Sequence, residues 1–222
     1  MLLKWIVCDV ADDDRAAFSR AQASWAALRT VEGFLGQAGG WNLAVPGQAC
    51  IVGLWADVGA YERFMRDAHD RIVESSDQGR TYRAIRVLLV DVLVDIAGSG
   101  RALGTVLGDG GLLRVADCVL NPGRAAQFIE MQTSVWNPAM AAAGGMLAGA
   151  FGCVRRETDH YLVCTLWENA GVHQAYVDKA LPVLQARAEI GLDLRRITGH
   201  IVTVEPSWRV PAGGHESRGC QR

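Results

Sequence analysis

The chain has 222 residues, half of them hydrophobic, and 22 basic against 24 acidic side chains leave a formal net charge of -2. So much apolar material excludes a disordered chain, and the absence of a long run of either charge excludes the electrostatic footprint of a nucleic-acid or anionic-membrane binder. The longest apolar stretch, Ala139 to Phe151, is too short to cross a bilayer, and the first residues carry neither a basic leader nor a cleavage site, so a cytoplasmic protein is expected.

Lys4 to Cys8 reads as a first strand, and Arg15 opens a helix whose Phe18, Ala21, Trp25 and Leu28 fall on one face. The Asp12 to Asp14 cluster is the expected helix cap. A glycine turn, Glu32-Gly33-Phe34-Leu35-Gly36, leads into a second strand that passes through Trp41-Asn42, and Cys50 to Trp55 forms a third. Asp57 caps a second helix through Tyr61, Phe64, Met65, Ala68 and Ile72, and Tyr82 to Ile85 begins a fourth strand.

The same order then recurs. Arg114 to Cys118 answers the first strand, Arg124-Ala125-Ala126 answers Arg15-Ala16-Ala17, with Asn121-Pro122 as the expected cap, and Gly144-Gly145 answers the glycine turn. Leu162 to Trp167 repeats the Leu-Trp ending of the third strand. Asn169 stands for Asp57, His173 and Tyr176 open the second helix, and Leu194 to Ile197 starts the last strand. The offset between paired residues drifts only from about 110 to about 112, as two copies of one unit require.

Each unit reads β-α-β-β-α-β, the ferredoxin-like arrangement, in an α+β chain of two tandem repeats. The expected layout is repeat 1 over 1–96, a glycine-rich connector over 97–111, repeat 2 over 112–205 and a loose tail over 206–222. Such a unit bares one sheet face, so the two are expected to meet sheet to sheet as an intramolecular α+β barrel, with helices outside and a ligand cavity between the sheets. Six scattered cysteines lack any C-x-x-C spacing and mostly lie in apolar runs, which predicts buried free thiols and no metal site.

Phosphate-cradling, zincin and serine-hydrolase motifs are absent, and the third strands lack the basic-aromatic platform of an RNA-recognition motif. Among seven tryptophans, most suit core packing. Trp41-Asn42 and Trp136-Asn137 each put a flat apolar surface beside an amide, as a pocket for a planar ligand needs, although Asn42 equally suits a turn and Asn137-Pro138 a helix end. His69 borders the apolar face of the second helix, where it suits a general acid or base, a haem ligand or a helix-end cap, and Asp70 and Arg71 beside it equally suit a solvated ion pair. The second copy has Leu181 at that place, and His173 where the first has Tyr61.

The strand ending in Leu54-Trp55, followed by Asp57, an apolar helix and His69, resembles the antibiotic-biosynthesis-monooxygenase-like proteins of the dimeric α+β barrel superfamily. The stretches Lys4-Trp5-Ile6, Gly39-Gly40-Trp41-Asn42, His69-Asp70-Arg71-Ile72 and Arg114-Val115-Ala116-Asp117-Cys118 resemble a tandem-repeat bacterial group within it. The family's other helix histidine is Phe64 here and Tyr176 in the second copy. The resemblance implies a barrel of two ferredoxin-like units and a small-molecule site of cofactor-independent monooxygenase type. On that reading His69 and Asp70 are the catalytic candidates. Trp25, Trp41, Asn42, Trp136, Asn137 and His173 are the substrate-binding candidates, for an electron-rich aromatic ligand. The alternatives are a non-catalytic ligand- or haem-binding protein, and a stress-related protein whose cavity is filled by side chains. Self-association is compatible with all three.

Overall fold

The computed structural model describes residues 1–188 and 190–213. Its first half runs β1 (Leu2–Asp9), α1 (Arg15–Ala23) with a 3₁₀ extension (Ser24–Thr30), β2 (Phe34–Asn42), β3 (Gln48–Trp55), α2 (Val58–Phe64), a π-helical turn (Met65–His69), α3 (Asp70–Ser76) and β4 (Ala84–Ile96). After the short α4 (Leu103–Val106) the order repeats: β5 (Leu112–Leu120), α5 (Ala125–Met131), a π turn (Gln132–Trp136), α6 (Asn137–Ala141), β6 (Met146–Val154), β7 (His160–Trp167), α7 (Ala170–Lys179), α8 (Leu181–Ala188) and β8 (Leu194–Val204). Within each half the first strand lies between the third and the fourth, and the second strand pairs with the third.

The halves join at two antiparallel seams, β4 with β6 and β8 with β2, so eight strands form a closed ring. Closure pairs every strand of the ring on both sides over at least part of its length. At the seams glycine permits the close approach: a side chain on Gly40 would run into the Thr203 carbonyl, and one on Gly152 into the Asp91 carbonyl.

Strand alternation sorts the side chains. Leu3, Trp5, Val52, Leu54, Leu113, Val115, Leu162 and Leu166 point into the ring and pack as one cluster, while Leu2, Lys4, Ile6 and Cys8, with their counterparts from Leu112 to Cys118, point towards the helices. Eight strands enclose room for their own side chains or for one small ligand, and here the side chains of this cluster occupy it. The ligand space expected between the sheets is therefore filled. Leu103 and Val106 of α4, with Leu107, add to the same cluster, so the 97–111 segment contributes to the core besides connecting the halves.

Near the start of β7 the interior carries charge. Asp117 is fully buried and accepts hydrogen bonds from Arg86 Nη1 at 2.7 Å and His160 Nε2 at 2.6 Å. His160 also meets Glu157 at 2.6 Å through Nδ1. Donating from both ring nitrogens requires the imidazolium. The Asp117 hydrogen bond holds His160 above its ordinary pKa against burial. Burial pushes Asp117 up, but His160 and Arg86 more than offset this and leave it low.

Three local expectations are corrected. Residues 206–211 are not loose: Trp208 is buried against Phe18 and Trp41, and β9 (Val210–Pro211) pairs with Gly36 and Gln37 of β2. The reason is that β8 covers β2 only from Gly40 to Asn42, which leaves an edge to be paired. Residues 214–222 lie outside the described residues. The first-helix caps also differ, since Asp14 makes no side-chain cap bond and Asn121 donates to the Leu192 carbonyl instead. Asp57 and Asn169 do cap their helices, at 2.8 and 3.1 Å, and the five described cysteines are free. Among the described residues no helix is long and apolar enough to cross a membrane.

Trp208→Ala should lower stability by about 3–5 kcal/mol in chemical denaturation. Asp117→Ala should cost about 3–5 kcal/mol by stranding a buried cation. The network's pH dependence has a definite sign. Asp117's share is present above its unfolded pKa and is lost as pH falls through its lowered folded value, whereas His160's share is full below its unfolded value and is lost as pH rises through its raised one. Asp117→Asn should flatten the stability profile on both sides, and an unchanged profile would contradict the assignment.

Candidate functional site

Because the ring is full, the cavities lie on its outer side, beneath the helices. The N-terminal cavity, about 380 Å³, has a sheet wall of Lys4, Ile6 and Cys8 from β1, Ile51, Gly53 and Trp55 from β3, and Ile85 and Val87 from β4. Gln22, Trp25, Leu28, Tyr61, Phe64, Met65 and His69 form the helix wall. Trp55 stacks on Phe64 with ring centroids 4.7 Å apart, so the Leu-Trp strand end anchors the second helix.

His69 closes the π turn, a wide turn that often marks functional positions. Its ring lies 5.7 Å from both Trp25 and Phe64, and its Nδ1 meets Asp70 Oδ1 at 2.8 Å. His69 reaches the cavity; Asp70 stays in solvent and orients the imidazole from outside. Trp25 is fixed by a relay in which its Nε1 donates to Gln78 Oε1 at 2.6 Å and Gln78 Nε2 donates to Gln22 Oε1 at 2.8 Å.

Lys4 is the cation of this cavity. Its ammonium sits 5.3 Å from the centre of the Tyr61 ring, and burial pushes its pKa down to about 8 against a smaller opposing pull from Cys8. Burial lifts the Cys8 thiol to about 12 and raises Tyr61, so both stay neutral at physiological pH. The cavity thus holds one readily deprotonated amine and one oriented imidazole among apolar walls.

The C-terminal cavity, about 260 Å³, is its counterpart. Arg114 replaces Lys4, His173 replaces Tyr61, Tyr176 replaces Phe64 and Leu181 replaces His69, while Gln132 keeps the place of Gln22. Trp136 and His173 line this cavity, with Trp167 and His173 ring centroids 5.1 Å apart. Burial, with a smaller contribution from Arg114, holds the His173 imidazole down at about 4.

The expected site residues are therefore divided. Trp25 and His69 share one cavity, Trp136 and His173 the other. Trp41 lines neither and packs against Phe18 and Trp208 under the Arg15 guanidinium. Asn42 is buried at the β2–β8 seam, where Nδ2 donates to Gln48 at 2.9 Å and lies 3.3 Å from His200 Nδ1. Asn137 accepts from Gln132 at 2.6 Å and serves the π turn. Sequence reasoning missed Lys4, Gln22, Gln78 and Arg114. A signal existed: a base interrupts the helix-facing side of the first strand at the same place in both halves.

A closed antiparallel barrel with helices outside is a fold shared with solved monooxygenase-like proteins, and the resemblance to the antibiotic-biosynthesis-monooxygenase-like proteins holds at the level of the fold. The putative monooxygenase of Fusobacterium nucleatum subsp. nucleatum ATCC 25586 is 12% identical with a TM-score of 0.77, covering 96% of this chain and 95% of that one. That of Lactobacillus acidophilus NCFM is 14% identical with a TM-score of 0.73, covering 96% of each chain. Residues 2–90 match the model of a domain of unknown function, DUF4937. The uncharacterized protein YdbC of Bacillus subtilis (strain 168) is 38% identical over 93 residues, 41% of this chain and 78% of that protein. The chain belongs to this DUF4937 family through its N-terminal half.

The depressed Lys4 value has a measurable consequence. Its folded pKa lies below its unfolded one, so stability should climb as pH rises from about 8 towards 10.5. Lys4→Met should remove that climb and, allowing for partial exposure, add about 1–3 kcal/mol at pH 7. A wild-type curve flat over this range would place the amine in water.

Proposed function

We propose that the N-terminal cavity is the reactive site of a cofactor-independent, monooxygenase-type protein acting on a small electron-rich phenol. The observation that carries this reading is the Asp70-held imidazole of His69 on the wall of an apolar cavity that also holds Lys4. A volume of about 380 Å³ lies near the small end of ligand pockets, which suits two or three fused rings better than a porphyrin. The two halves, 1–96 and 112–205, are read as tandem ferredoxin-like copies of one unit, with chemistry kept in the first.

His69 Nε2 takes the phenol proton while Asp70 holds the ring from Nδ1. The phenolate charge is stabilised by the Lys4 ammonium in a dry site, where such an interaction is strong. The electron-rich ring carbon para to the oxygen then bonds to dioxygen, and His69 returns the proton to give a ring hydroperoxide. Loss of the carbon-bound hydrogen and cleavage of the O–O bond release water and leave a quinone. One phenol and one dioxygen give one quinone and one water. Trp25, Trp55 and Phe64 hold the ring plane and exclude bulk water.

Oxygen uptake with a panel of naphthols and anthrones tests this. A substrate should emerge whose turnover falls about 10²–10⁴-fold in His69→Ala. Asp70→Asn should cost less, because Asp70 orients the imidazole from solvent. Unchanged turnover in His69→Ala would remove the assignment. A haemin Soret shift lost in the same variant would favour the ligand-binding alternative.

A further inference from the structure

We propose that the C-terminal cavity is a second, non-catalytic binding site for a small aromatic carboxylate, recognised by Arg114. The proposal rests on this cavity's own residues and stands apart from the chemistry assigned to the N-terminal one.

Arg114 projects from β5 into the cavity, and none of the described carboxylates forms an ion pair with it. Among the described residues, the ionisable groups that act on its charge are Cys118, Tyr176 and Cys164. All three stay neutral at physiological pH, since the thiols are pushed up to about 12 and the phenol is raised, burial being the main cause for each. A guanidinium cannot escape its desolvation by losing a proton as Lys4 can. A guanidinium at a cavity wall with no carboxylate partner among the described residues asks for an anion, and its planar fork matches a carboxylate with two parallel hydrogen bonds.

The walls define the rest of the ligand. Phe128, Trp136, Met140 and Trp167 give flat or soft apolar surface for an aromatic body. Gln132 stands on the same wall with one amide hydrogen given to Asn137, and Arg114 is the cationic anchor. The exchanges between the cavities fit this assignment. A ligand that arrives already ionised needs no base, and Leu181 stands where His69 would be. His173, held neutral, adds no competing positive charge.

Calorimetric titration of the full chain with 1-naphthoate, and with uncharged 1-naphthalenemethanol, tests the proposal. The Arg114-dependent site is expected to take the carboxylate at least tenfold more tightly than the alcohol, with affinity falling as salt rises. Arg114→Met should weaken naphthoate at this site at least tenfold and abolish the preference over the alcohol there. Leu181→Trp, which narrows the cavity and keeps the guanidinium, should weaken binding and covers the case in which Arg114→Met fails to fold. No naphthoate binding to the wild type, equal binding of acid and alcohol, or naphthoate binding unchanged by both Arg114→Met and Leu181→Trp would each overturn it.

Discussion

Ring closure governs this molecule. Two four-stranded sheets whose outer edges pair with each other leave an interior only as wide as the side chains that project into it. Leu3, Trp5, Val52, Leu113 and Val115 fill that interior, so no ligand space remains between the sheets. Alternation sends every other residue the opposite way, towards the helices, and the cavities form there. The glycines at the seams and the pairing of Val210 and Pro211 with β2 serve the same closure. Charge enters the interior through Asp117, and it is tolerated because Arg86 and His160 satisfy the carboxylate.

On this common scaffold the two cavities have diverged by few exchanges. Trp55 and Trp167 hold the helices in the same way, and Gln22 and Gln132 keep one buried amide position. The base changes from lysine to arginine, the aromatic above it from tyrosine to histidine, and the histidine of the π turn to leucine. The lysine and the π-turn histidine are groups that can exchange a proton, and the arginine gives the second cavity a fixed charge. An amine near pKa 8 can respond to a ligand's ionisation; a guanidinium cannot. The stability that Lys4 sacrifices in an apolar cavity is what a functional residue would be expected to cost.

Much of the fold was legible because the repeat was written in residues whose roles are local. The Leu-Trp strand ends, the Asp57 and Asn169 caps and the alternating strands each carry their own signal. The side of the sheet on which a ligand fits was not legible, since periodicity distributes residues between two faces without saying which face is filled. Trp41 and Asn42 illustrate this. They have the composition of a ligand wall, yet the first packs on Trp208 and the second serves a strand seam. The packed segment 206–211 was hidden for a similar reason, because its two-residue strand gains meaning only from an edge of β2 left uncovered by β8. Lys4 was overlooked because a single base in an apolar strand looks like solvent exposure until the helices are laid over it.

The most direct test of the account is to locate a ligand. Crystals soaked with 6-bromo-2-naphthol and measured at the bromine edge should show an anomalous peak under the helices of the N-terminal half, between Trp25 and Trp55 and beside His69. A peak inside the strand ring, among Leu3, Trp5 and Val115, would contradict the claim that closure fills the interior and drives the sites outward.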